Sequence, residues 1–264
     1  MEIKKDILKV KKDPFVDVIM PNYNKAQYLE ESISSVINQK YINWKLIIID
    51  NFSNDDSIKI INNFRIRENR IKLVSFKKNK GVAFSRNLGI RLSKSEYIAF
   101  LDSDDYWSST KLFEQINFME NKNCVFSYTN YTPFFLEQNN KFFKKEVIPR
   151  KSFNFDQFIN DTSMSTSSII VKRSITNMVF FPKMKSLEDY YFKCKILKKG
   201  VIAFRLDKNS MFYRITKKSL SSNKIRNLYL LWMVNRQYNK LSFFKSLKSV
   251  VLISISSIKK YGFK

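Results

Sequence analysis

Short apolar runs alternating with stretches of helical spacing fill the first half of the chain. FVDVIM (15–20), WKLIIID (44–50), IKLVSF (71–76), EYIAFL (96–101) and CVFSYTNY (124–131) read as strands. Between them, AQYLEESISSVINQ (26–39), NDDSIKIINNFRIR (54–67), VAFSRNLGIRLS (82–93) and STKLFEQINFMEN (109–121) read as helices. In the first helix Leu29, Ile33, Val36 and Ile37 share one face. A strand, a helix of this length and a further strand call for a right-handed crossover, which makes the two strands parallel. The expectation is an α/β fold with a mostly parallel central sheet covered by helices on both faces. Ligands of such sheets bind at the carboxyl ends of the strands, where Asn22, Asn24, Asp50 and Asp102 stand.

After residue 131 the pattern is less regular. TPFFLEQNNKFFKKEVIP suggests a hairpin turning at Asn139 and Asn140, and SMSTSSIIVKR (163–173) a hydroxyl-rich loop entering a strand. LEDYYFKCKILKKG (187–200) is a helix ended by Gly200, and VIAFRLDKNSMFYRI (201–215) one or two strands. Residues 223–260 carry two basic amphipathic helices. The expected division is an exposed tail at 1–13, a domain at 14–222 and a helical, membrane-associating segment at 223–264.

Composition removes several classes of chemistry. The 264 residues include no histidine, which excludes Ser-His-Asp triads, HExxH zinc sites and a His general base. Cys124 and Cys194 form no CxxC pair, so no disulfide framework is implied and a reducing cytoplasm suits the chain. The start lacks the apolar stretch of a secretory signal, and VVLISISSI (250–258) is far too short to span a bilayer. Formal net charge is +25, and from 208 to 264 there are thirteen Lys and Arg with no Asp or Glu. So one-signed a segment suits a polyanionic partner, a nucleic acid or an anionic membrane surface.

Against that charge stands YIAFLDSDDYW, with Asp102, Asp104 and Asp105 within four positions. Adjacent carboxylates repel, more strongly as water is excluded. The cluster suits either a solvated turn, with Ser108 or Ser109 capping the next helix, or a site neutralised by a bound cation. The Asp-x-Asp spacing lets two carboxylates bracket Mg²⁺ or Mn²⁺, whose other ligands are phosphates and water. LEDYY places Glu188 and Asp189 at a helix start, either as partners of the helix dipole or as a catalytic carboxylate with its neighbour. PNYN and IIIDN close the first two strands. Tyr23 can stack on a base and Asp50 or Asn51 accept from its edge, while ordinary turn and cap chemistry explains the same residues.

Taken in order, VIMPNYNKAQYLEESISSVINQ, WKLIIIDNFSNDDS, NKGVAFSRNLGI and YIAFLDSDDYW closely resemble the family 2 inverting glycosyltransferases, which have the nucleotide-sugar-binding GT-A (Rossmann-like) fold. The likeness continues through FSYTNY, STSSIIVKR, LEDYYFKCKILKKG and FYRITKKSLSS, covering about 200 of the 264 residues. The resemblance implies a donor pocket built from Pro21, Tyr23, Asn24, Asp50, Asn51, Arg86, Asp102 and Ser103, with uracil at Tyr23 and the Asp50/Asn51 corner. Asp104, with Asp102, would hold Mn²⁺ or Mg²⁺ on the donor diphosphate. Asp189 would deprotonate the acceptor hydroxyl with Glu188 beside it, and Asp105, Trp107, Ser167 and Ser168 would line the acceptor side. The implied reaction is a single displacement with inversion, an α-linked donor giving a β-glycoside.

Two positions depart from the family pattern. Asn51 stands where relatives usually have a second Asp, and Thr216 where many have a histidine near the metal. The resemblance further implies a UDP-sugar donor, a lipid-linked or oligosaccharide acceptor, and a role in bacterial surface polysaccharide assembly, such as teichuronic acid, O-antigen or capsule. The expected location is cytoplasmic, peripheral at the inner face of the cell membrane. A non-catalytic sugar-nucleotide-binding relative is one alternative. A basic nucleic-acid-binding protein is another, opposed by the acidic site and the lack of any named nucleic-acid motif. No QxxRW motif marks a processive synthase.

Overall fold

The computed structural model describes residues 13–138, 140–184, 186–216 and 224–261, with side chains except at 224, 225 and 257–261. The expected tail up to residue 12, the hairpin tip at Asn139 and the boundary between 222 and 223 lie outside the described residues.

The chain opens as its periodicity demands. β1 (Val16–Asn22), α1 (Ala26–Ile37), β2 (Trp44–Asp50), α2 (Ser57–Arg67), β3 (Ile71–Ser75), α3 (Val82–Leu92) and β4 (Tyr97–Phe100) alternate without interruption. Then come β5 (Tyr106–Trp107), α4 (Lys111–Lys122), β6 (Phe126–Glu137), β7 (Asn140–Phe143), β8 (Ser152–Phe153) and the short α5 (Phe155–Phe158). A 3₁₀ turn (Thr166–Ser168) leads into β9 (Ile170–Lys172), and a second (Arg173–Thr176) precedes α6 (Glu188–Leu197) and β10 (Ala203–Arg214). The last elements are α7 (Lys224–Met233), a π-helical turn (Val234–Tyr238) and α8 (Phe243–Tyr261).

Among the described residues ten strands join one sheet in the order β3-β2-β1-β4-β9-β6-β10-β5, with β7 on β6 and β8 on β10. The expected parallel pairing holds for β3, β2, β1 and β4. Beyond β4 that expectation is corrected. β9 runs antiparallel to both β4 and β6, and β5 antiparallel to β10, although β6 and β10 pair parallel. The reason is local: β9 is entered from a 3₁₀ turn, so no crossover helix fixes its direction.

Period-two alternation sorts the strand residues between two cores. Val18, Met20, Leu46, Ile48 and Ala99 pack with Leu29, Ile33, Ile61 and Ile116 from α1, α2 and α4. Ile19, Ile47, Ile49, Ile98 and Phe100 pack on the other face with Ile90 of α3 and Phe192 and Ile196 of α6. α3 lies so close to β1 that a Cβ at Gly89 would stand 2.4 Å from Ile19 Cγ2. Capping is partly long-range. Neither Ser108 nor Ser109 caps α4 through its side chain. Gln39, just past α1, accepts from the Leu112 N–H at 2.9 Å and donates to the Ser108 carbonyl at 2.7 Å. Asp55 accepts from Ser57 N–H at the start of α2 and from Ala26 N–H at the start of α1.

Candidate active site

The ends of β1 and β2 are in register, Asn22 beside Asp50. Asn22 Nδ2 donates to Asp50 Oδ1 at 2.8 Å, and Ser53 supplies its N–H to Oδ2 at 3.0 Å and its hydroxyl to Oδ1 at 2.5 Å. With three donors satisfied, the carboxylate clamps the turn that carries Phe52 at φ 72°. Asn51 Nδ2 donates to Asn79 Oδ1, and Asn51 Oδ1 accepts from the Lys80 N–H, both at 2.8 Å. This corner was expected to read a base edge. In the structure both side chains are buried and act as braces, because each polar atom meets the neighbouring loops first. Pro21 and Ser103 are likewise enclosed, whereas Tyr23 stands 45% exposed. Asn24 adopts φ 50°, and its side chain accepts from Asn54 N–H.

The three carboxylates after β4 have three different environments. Asp102 Oδ1 receives Arg86 at 2.7 Å, and Asp104 Oδ2 receives Lys25 at 2.6 Å. Asp105 is buried and accepts from the Ser167 hydroxyl at 2.6 Å and the Arg214 N–H at 2.9 Å. Burial, then Asp104 and Asp102, push its pKa well above the usual carboxylate range. Trp107, also buried, donates from Nε1 to the Ser167 carbonyl at 2.7 Å. The resemblance set Asp105, Trp107, Ser167 and Ser168 on the acceptor side. All four are enclosed, and through Ser167 they fasten the acidic turn to the 166–168 turn.

Arg86 joins this turn to α6. Enclosed on α3, it donates Nη2 to Asp102 and Nη1 to Glu188 Oε1 at 2.9 Å, its guanidinium 5.3 Å from the Phe181 ring. Burial alone would lower its pKa, but Asp102, Glu188 and Asp189 raise it. Glu188 is pushed up, chiefly by burial, against the opposing pull of Arg86. Asp189 moves the other way. Burial would raise it, yet Lys193 and Arg86 outweigh that, and hydrogen bonds from Lys193 and Thr166 add to the lowering. Lys193 Nζ lies 3.0 Å from Asp189 Oδ2 and the Thr166 hydroxyl 2.9 Å from the same oxygen. The Asp189 side chain remains 35% exposed, so an ionised carboxylate faces the crevice.

Beside Asp104 a groove of about 450 Å³ is lined by Lys25, Tyr28, Leu136, Arg214 and Thr216, among others. Thr216, where the resemblance expects a histidine near the metal, lines this groove and carries no ligating nitrogen. Asp102 and Asp104 fit a hard divalent cation in donor type, since each keeps one carboxylate oxygen with no protein partner among the described residues. No third His, Cys, Asp or Glu completes a cage among the described residues, so diphosphate and water oxygens would supply the rest. The sequence reading missed Lys25, Thr166, Lys193 and Arg214. Only Lys193 had a visible signal, its i,i+4 spacing from Asp189.

Comparison with known proteins gives the family and the fold. Residues 17–215 match the family described as Glycosyl transferase family 2. A Bacillus subtilis protein bearing the name teichuronic acid biosynthesis glycosyltransferase TuaG is 31% identical over 247 residues, 94% of this chain and 97% of its own. The Escherichia coli UDP-Glc:alpha-D-GlcNAc-diphosphoundecaprenol beta-1,3-glucosyltransferase WfgD is 34% identical over 224 residues, 84% of this chain and 85% of its own. The Staphylococcus aureus TarS 1–349 structure in complex with UDP-GlcNAc superposes at TM-score 0.70, with 18% identity over 93% of this chain and 73% of its own. A Pyrobaculum calidifontis mannosyltransferase in complex with GDP-Man and Mn²⁺ reaches 0.68 at 14% identity, over 95% of this chain and 76% of its own.

Proposed function

The chain belongs to glycosyl transferase family 2 and is a glycosyltransferase, and from that premise we propose that it moves a sugar from a UDP-sugar to a lipid-linked saccharide with inversion at the anomeric carbon. One observation carries the reading. Arg86 ties Asp102, on the donor side, to Glu188, beside the half-buried Asp189, so a donor and an acceptor can meet across one guanidinium. The UDP and diphosphoundecaprenol in the name of WfgD, and the UDP-GlcNAc in the TarS complex, support the choice of donor and acceptor class.

In this reading Tyr23 offers its exposed ring to the base, and Asp104 with Asp102 would hold Mn²⁺ or Mg²⁺ beside the diphosphate. A bound divalent cation would neutralise the leaving diphosphate. Asp189, ionised across the neutral range, accepts the acceptor hydroxyl's proton as that oxygen attacks the anomeric carbon from the face opposite the nucleotide. Glu188, the neighbour that Arg86 holds, keeps the helix start in place. General-base assistance of this kind contributes roughly 10²–10⁴-fold. An acceptor of this class places the work at the inner face of the cell membrane, in surface polysaccharide assembly.

The test is calorimetric titration with UDP, GDP and CDP, each with Mn²⁺ and then with EDTA, followed by transfer assays on a GlcNAc-diphospho-lipid. Metal-dependent preference for UDP is expected. Absence of nucleotide binding in both conditions would overturn the proposal.

A further inference from the structure

α8 is amphipathic in the reverse sense. Its inward face carries two fully enclosed serines, Ser246 and Ser249, together with Val250 and Ile253. The serines are fixed by polar contacts: Ser246 donates to the Ser242 carbonyl, Ser249 donates to the Ile159 carbonyl, and Asn235 Nδ2 donates to Ser249 Oγ. The larger apolar side chains point outward. Phe244 is 79% exposed, and Phe243, Leu247, Val251, Leu252 and Ile255 stand exposed along the same helix. Docking α8 on the domain therefore leaves most of its bulky apolar surface in contact with solvent.

Isolated exposed apolar residues are ordinary, but a continuous row of them marks a surface made to be covered. What surrounds the row selects the cover. Lys240, Lys245 and Lys248 flank it, all exposed, and no Asp or Glu occurs between 208 and 264. Among the described residues the acidic partner of Lys245 is Asp156, 3.6 Å away and itself exposed. Protein interfaces are depleted in Lys, whereas an apolar helix face bordered by lysines matches a bilayer with acyl chains below and anionic phosphates beside it. Among the described residues no helix is long and apolar enough to cross a membrane, so the match is to a helix lying in the headgroup plane.

We infer that the outward face of α8 docks on anionic phospholipid bilayers, with its apolar row among the headgroups and its lysines on their phosphates. The purpose of that docking rests on the proposed lipid-linked acceptor, but the surface is defined independently of it.

The test uses the full chain and vesicles of phosphatidylcholine, with and without phosphatidylglycerol. Two variants separate the contributions: Phe244→Glu with Leu247→Glu and Val251→Glu, and Lys245→Glu with Lys248→Glu. The unaltered chain is expected to co-sediment with the phosphatidylglycerol vesicles. The apolar variant should lose roughly tenfold or more of its partitioning, and the lysine variant most of its preference for anionic lipid. Circular dichroism and UDP titration of each variant confirm an intact domain. Vesicle binding by the apolar variant equal to that of the unaltered chain would overturn the inference. So would a dimer, seen by light scattering, that the apolar variant dissociates, because a second copy would then cover the face. If vesicle binding holds while no nucleotide binds, the docking surface stands and the proposed reaction falls.

Discussion

The turn after β4 and the start of α6 both crowd carboxylates into shielded space, yet they settle the repulsion differently. At the turn, Asp105 is enclosed with its pKa raised, while Asp102 and Asp104 take cations from α3 and from the residue preceding α1. At α6, Glu188 is the enclosed group with a raised pKa, and Asp189 takes a cation from one turn further along its own helix. The first arrangement leaves two carboxylates with an oxygen each to share with an incoming cation. The second leaves one carboxylate ionised and reachable. In the proposed reaction these two acidic clusters of similar composition do different work, cation binding and proton acceptance, and what distinguishes them is where their counter-charges originate.

Arg86 is common to both, so its loss is the largest perturbation. Arg86→Met would strand Asp102 and Glu188 as unanswered charges, one of them enclosed. Removing one partner of a buried pair costs about 3–5 kcal/mol. Urea unfolding should show a loss of that size together with abolished transfer. A variant as stable as the parent would mean that the two clusters are independent.

Next in size are the substitutions that silence one cluster each. Asp189→Asn should lower turnover by roughly 10²–10⁴-fold with the fold intact, and Asp104→Asn should abolish metal-dependent donor binding. Near-normal turnover in either purified variant would remove that residue from the mechanism.

Lys193→Met sharpens the contrast by pH. In the parent, Asp189 has a depressed folded pKa, so its stabilising contribution is present above the ordinary carboxylate value and disappears as pH falls through the folded value. With Lys193 gone, Arg86 and Thr166 remain to oppose burial. The acidic limb of kcat/KM against pH should then move upward, toward neutrality. An unmoved limb would show that Lys193 supports the helix start without tuning the base.

How far the sequence foretold this follows from the range of each interaction. Strand and helix periods are local, and β1 through β4 were readable for that reason. The direction of β9 was not, because it depends on a connection without a helix. Asp102, Asp104 and Asp189 were readable as types at strand and helix ends. Their partners were not: Lys25 is 79 residues from Asp104 and Glu188 is 102 from Arg86. Asn51 shows the converse, a recognised position whose amide is engaged by residues 79 and 80 once the loops close. For α8 the sequence displayed two faces but could not say which one turns inward.

The smallest effect on stability is expected at Lys25, and there the two clusters differ most sharply. Lys193 is almost wholly enclosed, whereas the Lys25–Asp104 pair is 31% and 21% exposed, so it contributes about 0–1 kcal/mol to folding. Its consequence lies in binding. The ammonium sits on one oxygen of the carboxylate whose other oxygen a divalent cation would take, so ion and side chain compete for the same negative charge. Lys25→Met should therefore leave urea unfolding almost unchanged and tighten Mn²⁺ binding roughly tenfold, about 1.4 kcal/mol, in a titration followed by the resonance of free Mn²⁺. The same variant should bind UDP more weakly in EDTA, where no cation is present and the parent's ammonium is the positive charge left beside Asp104 to meet the diphosphate. Unchanged Mn²⁺ affinity would show that the pair does not compete with the cation, and the turn after β4 would lose its claim to be the cation-gathering half of the site.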